Sequence, residues 1–187
     1  RAYSDRMNDA KLELECLRQL AELTSGSAKV SRLQVLADFA FEILEDVDVG
    51  LAALREVCDI EPDNMEAYLA LQTRLEEYEQ YKELIEVLHQ RAEIAPTKIQ
   101  MAELFLEQAL VYRQRFQDTE QAVTSLSKAL ELDPEGSRAL DTIQELHKLA
   151  SEHVEVREEA LSAIIEHHRK LSDWQQLVEC LELRASH

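Results

Sequence analysis

The chain has 187 residues, of which 45% are apolar and 31% charged, with only three glycines and three prolines. That balance excludes a disordered chain, and so few turn formers exclude a many-stranded all-β fold. A net charge of −18, from 38 acidic and 20 basic residues, sets the chain against nucleic acid and anionic membrane surfaces as partners.

Apolar residues recur at three- and four-residue steps along most of the sequence, the mark of helices with one apolar stripe. The spacing predicts ten helices, at 5–24, 28–45, 48–60, 63–79, 81–94, 98–116, 118–132, 136–150, 154–170 and 173–186. Gly26 separates the first two, and Ser25 or Ser27 is placed to cap the second. Gly50 stands near the start of the third. The sixth carries Leu104, Phe105, Ala109 and Tyr112 on one stripe, and the seventh Ala122, Val123, Leu126, Ala129, Leu130 and Leu132. Asp118 is the expected cap of the seventh helix, and Ser172 or Asp173 of the tenth. Connections this short force sequential helices to lie antiparallel.

The prolines punctuate the pattern. Pro62, Pro96 and Pro134 each follow one amphipathic segment and open another, at intervals of 34 and 38 residues. Proline suits a helix's first turn and breaks a helix interior, so this rhythm marks stacked helical hairpins. Two internal repeats accompany it. Residues 50–63 match 122–135 at an offset of 72, pairing Leu54 with Leu126, Ile60 with Leu132 and Pro62 with Pro134. Tyr81, Leu84, Ile85, Leu88 and Ala92 match Trp174, Leu177, Val178, Leu181 and Ala185 at an offset of 93. The difference between the offsets is one helix's worth of sequence, falling between about 150 and 171. A single hairpin buries too little apolar surface to offset its ordering, so the hairpins must lean on one another.

The stretch from Phe105 to Pro134 resembles a tetratricopeptide repeat: Phe105, Ala109 and Tyr112 on the first helix, then Ala122, Leu126, Ala129 and Pro134. One extra residue between Tyr112 and Ala122 departs from the family and should lengthen the inter-helix turn. A weaker copy runs through Leu33, Ala37, Ala40, Gly50, Leu54, Val57 and Pro62. A degenerate one runs through Tyr68, Leu71, Leu75, Leu84, Leu88, Ala92 and Pro96, with Gln72 in place of the family's glycine. The resemblance implies an all-α, right-handed superhelical array of antiparallel hairpins (an α-solenoid) forming one domain over 1–187. Its parts would be a leading helix 1–27, repeats 28–62, 63–96 and 97–134, and an irregular repeat with an extra helix over 135–187.

No glycine-rich phosphate loop, GxSxG, HExxH or EF-hand loop occurs in the sequence. No enzyme activity and no cofactor is therefore expected. Cys16, Cys58 and Cys180 are an odd number without a CxxC pair, so they read as small helix residues in a reducing compartment, the cytoplasm. No apolar run is long enough to span a membrane. His167 and His168, with His147, His153 and Glu166 nearby, match no helical metal motif and read as a solvated face. Arg113 and Arg115 are expected to pair with neighbouring glutamates, although either suits an anionic peptide side chain. Trp174, the only tryptophan, is expected to pack, since it aligns with Tyr81.

These features point to a protein–protein interaction scaffold that grips a protein or peptide partner in a concave groove. The resemblance implies that groove residues lie one and five steps past each first-helix packing residue. They are Gln34, Asp38 and Phe41; Leu69, Thr73 and Glu76; and Leu106, Leu110 and Arg113. In that register Leu69, Leu106 and Leu110 are exposed. Few of these positions are basic, so a cationic or amphipathic segment suits the acidic surface better than a terminal carboxylate. The alternative is a regulatory or scaffolding fragment of a larger enzyme or signalling protein. A start at Arg1 rather than methionine motivates it.

Overall fold

A computed structural model describes residues 2–185, with side chains from Asn8 onward. Among the described residues there are ten α-helices and no strands. They are α1 (Ala2–Glu22), α2 (Gly26–Phe39), α3 (Val47–Ile60), α4 (Met65–Glu77), α5 (Tyr81–Ile94), α6 (Lys98–Val111), α7 (Thr119–Leu132), α8 (Ala139–Glu152), α9 (Arg157–Lys170) and α10 (Trp174–Ala185). The helix boundaries follow the spacing of apolar residues and capping groups closely. The expected last residue of the tenth helix, 186, lies outside the described residues.

The caps explain the starts. The Gln121 N–H donates to Asp118 Oδ1 at 3.0 Å, as expected, and the Gln176 N–H to Asp173 Oδ1 at 3.4 Å. Asp46, Asn64 and Thr97 do the same for α3, α4 and α6. Ser25 occupies the cap position of α2 without accepting a side-chain hydrogen bond.

The extra residue after Tyr112 does not lengthen a loop. It is taken up inside the helix, as a wide π-helical turn over Tyr112–Phe116 that follows α6 directly. Gln117 then adopts a left-handed conformation (φ 54°), and Asp118 starts the next helix. The same device recurs after α2: a π-helical turn over Ala40–Leu44, left-handed Glu45 (φ 53°), and Asp46 as cap. The two turns stand 72 residues apart, the offset of the sequence repeat. The other repeat is mirrored in its turns as well. Glu79 and Ser172, 93 residues apart, are both left-handed (φ 56°), and each is followed by an N–H that closes a six-residue turn, Gln80 to the Leu75 carbonyl and Asp173 to the His168 carbonyl.

The chain forms two compact units, Arg1–Val87 and Leu88–His187. In the first, α1, α2, α3 and α4 pack in sequence as antiparallel neighbours. Its core includes Leu33, Leu36, Ala37, Ala40, Phe41, Leu51, Leu54, Val57, Leu71 and Leu75, all buried. Phe41 stacks on Tyr78 with ring centroids 5.8 Å apart, and the Arg74 guanidinium lies 4.7 Å from its ring centre. A Cβ at Gly50 would come within 2.5 Å of that ring, so the glycine is what allows α3 against Phe41.

In the second unit, α6 packs on α7, α7 on both α8 and α9, and α9 on α8 and α10. One continuous core joins them, from Ala102, Leu106 and Ala109 through Val123, Leu126 and Leu146 to Ile164, Leu177 and Cys180. The helix over the expected extra segment, α9, is thus a full member of the packing, with Ala160, Leu161, Ile164 and Ile165 all buried.

Candidate functional site

A cleft of about 160 Å³ lies in the second unit. Its floor is apolar: Leu106, Ala109 and Leu110 from α6, with Ala122 and Leu126 from α7. Ala109 and Ala122 are small, which leaves the space open between the two helices. The far wall is the first half of α8, with Asp141, Thr142 and Glu145, and Arg138 just before it. Thr142 is held by donating its hydroxyl to the Arg138 carbonyl at 2.8 Å. Arg113, in the wide turn that ends α6, forms an ion pair across the cleft with Glu145. Arg138 Nε lies 3.9 Å from Asp141 Oδ2. The site is an apolar trough with a rim of two acid–base pairs.

Of the residues expected to line a groove, Leu106, Leu110 and Arg113 come together in this cleft. They do so unequally. Leu110 is 44% exposed, but Leu106 is only 9% exposed and belongs to the hydrophobic core, so its expected exposure is corrected. Arg113 pairs with a neighbouring glutamate, as the sequence led one to expect.

The other six residues lie in the first unit. Gln34 and Asp38 on α2, and Leu69, Thr73 and Glu76 on α4, are exposed, Leu69 at 53%. Thr73 donates its hydroxyl to the Leu69 carbonyl at 2.8 Å, and Glu76 accepts from the buried Gln72 at 2.9 Å. Phe41 is the exception. It is buried in the stack with Tyr78 and Arg74, and its expected place on a groove is corrected. It stands four residues after Ala37 and eight after Leu33, on the buried face of the helix.

The α8 wall was missed in the sequence, because the proline rhythm stops at Pro134. The signal was there. Ile143, Leu146, Leu149 and Ala150 fix the buried face of α8, which leaves Asp141 and Glu145, four apart, on another.

The histidines also depart from expectation. His167 and His168 are both buried, their rings edge to face at 5.1 Å, and do not form a solvated face. His168 Nδ1 lies 3.5 Å from Asp173 Oδ2. Burial pushes the His167 pKa down, the neighbouring His168 and Lys170 push the same way, and Asp173 opposes them. Burial, then His168, lowers that of His147 on α8. No group of histidine, cysteine or acidic residues among those described is arranged to hold a metal. Cys58 and Cys180 are buried and Cys16 is exposed, all as free thiols. Burial, with Asp59 adding to it, raises the Cys58 thiol to about 11, which suits packing rather than nucleophilic chemistry. No described helix is long and apolar enough to cross a membrane.

No protein-family model matches the chain, and no curated protein matches it. Among solved structures it is similar to "MamA RS-1 ArsTM double mutant", at 19% identity, covering 95% of this chain and 97% of that one, with a TM-score of 0.41. It is also similar to MamA residues 41 to the end from Desulfovibrio magneticus RS-1, at 20% identity, covering 92% and 96%, with a TM-score of 0.40.

Proposed function

We propose that the chain is a protein-interaction scaffold of tetratricopeptide type, and that the α6–α7–α8 cleft seats one large apolar side chain of a peptide partner. The observation that carries this reading is the apolar floor of Leu106, Ala109, Leu110, Ala122 and Leu126 beneath a charged rim. At about 160 Å³ the space is close to the ~150 Å³ that accommodates a benzene-sized group. The rim's two acid–base pairs balance each other locally, so a preference for lysine or arginine beside the anchor comes from the net charge of −18. The binding is passive: the cleft offers contact and charge complementarity, with no chemical step. The exposed Gln34, Asp38, Leu69, Thr73 and Glu76 of the first unit are proposed as further contact positions. A reducing compartment, the cytoplasm, suits the three free thiols.

Burying one such anchor contributes roughly 1.5–3 kcal/mol. Placing a carboxylate at Leu110, which is exposed enough to change without unfolding the core, should remove that contribution. Fluorescence anisotropy with a short peptide carrying leucine between lysines is expected to give saturable binding, weakened about 10- to 100-fold in Leu110→Asp. Preference for the same peptide with glutamates in place of lysines would count against the proposal.

A further inference from the structure

The last helix leaves half of its apolar surface open. On α10, Leu177 and Cys180 are buried in the core shared with α9. Next to that buried strip runs a second one: Trp174, Val178, Leu181 and Ala185, at i, i+4, i+7 and i+11. Trp174 is 63% exposed, Val178 52% and Leu181 43%, and Ala185 is exposed too. The expectation that Trp174 packs is therefore not met among the described residues. Four apolar residues at this spacing make one continuous stripe along three turns of helix.

The internal repeat supplies a comparison. Trp174, Val178, Leu181 and Ala185 correspond to Tyr81, Ile85, Leu88 and Ala92 of α5. There Leu88 and Ala92 are fully buried, and Tyr81 and Ile85 partly so. The turns that lead into the two helices have the same left-handed residue and the same closing hydrogen bonds. Two helices with one apolar pattern and one entry geometry thus differ in burial: the stripe is covered on α5 and open on α10. The stripe is also continuous with the established α9–α10 interface, so an element seated on it would extend that core. Glu179 and Glu182, both exposed, lie on the side of the stripe away from α9.

We infer that the Trp174–Val178–Leu181–Ala185 stripe is a docking seat for an amphipathic helix of another protein, one that carries lysine or arginine along the edge of its apolar face. Apolar contact sets the affinity, and Glu179 and Glu182 select the basic edge and orient the helix. A second copy of this chain is a poorer occupant, because each copy carries a net charge of −18. The seat is separate from the cleft and does not depend on it.

Trp174 is the only tryptophan, so its emission reports the seat alone. The test uses the whole chain and two synthetic helical peptides with one leucine–alanine face, edged with lysine in one and glutamate in the other. The lysine-edged peptide is expected to shift Trp174 emission to the blue, saturably, and to protect it from acrylamide. Val178→Ser with Leu181→Ser, both at exposed positions, should weaken that binding at least tenfold, while Leu110→Asp leaves it unchanged. Equal binding of the two peptides, or a response the double variant leaves intact, would overturn the inference. So would a blue shift that grows with the concentration of the chain alone and accompanies dimers in sedimentation, since that result seats a second copy.

Discussion

Phe41 and Gly50 form a matched pair. The ring occupies the space that any Cβ at position 50 would need, and its face is closed by Tyr78 and Arg74. Gly50→Ala is expected to destabilise the protein by roughly 1–3 kcal/mol through overpacking, and Phe41→Ala by about 3–5 kcal/mol through the cavity left behind. Urea unfolding measures both; a Phe41→Ala protein of unchanged stability would return this residue to the surface. Gln117 works in the opposite direction. It holds a left-handed conformation that costs an L-residue roughly 1–2 kcal/mol and glycine almost nothing. Gln117→Gly should therefore stabilise the protein by up to about 1 kcal/mol after the extra entropy of the unfolded chain is counted. Gln117→Val should destabilise it, and the same unfolding curves distinguish the two. The burial of Phe41 was legible in the sequence: it stands four residues after Ala37 and eight after Leu33, both buried, at the edge of the core face of α2.

At the scale of helices, the existence of all ten elements was legible from their apolar stripes, and their ends to within a few residues. What was illegible depends on backbone geometry that no stripe encodes. An inserted residue may be stored in a loop or in a π-helical turn, and the two read alike in sequence until the partner helix is known. The same holds for the buried α9 histidines, which lie on a helix packed against α7, α8 and α10. That burial has a pH consequence. His147 and His167 have folded pKa values below their ordinary one, so the folded state binds fewer protons than the unfolded chain. Their contribution is fully present above about pH 6.5, the unfolded value, and is lost as the pH falls below it toward the depressed folded values. His168 adds to the depression of both, and at His167 Lys170 deepens it while Asp173 opposes it. Urea unfolding at stepwise lower pH should show stability declining below neutrality, and His147→Gln with His167→Gln should flatten the decline. An equal slope in the double variant would assign it to the carboxylates.

For the whole molecule, the all-helical class was legible in the sequence, and the residues of the proposed site only partly. Leu110 and Arg113 follow from the register of α6, whereas Asp141 and Glu145 required knowing that α8 faces α6 across α7. Net charge then acts on every interaction at once. A peptide attracted by a chain of charge −18 should bind less tightly as salt is raised, with the change mainly in the association rate. Affinity that holds constant from low to moderate salt would contradict the cationic partner. The claim on which the functional reading rests is the placement of the apolar anchor, and photo-crosslinking tests it most directly. A lysine-flanked peptide carrying a photoreactive leucine is bound, irradiated, and its attachment points are read by mass spectrometry. The account predicts adducts on Leu106–Arg113, Ala122–Leu126 and Arg138–Glu145. Adducts confined to other helices would contradict it.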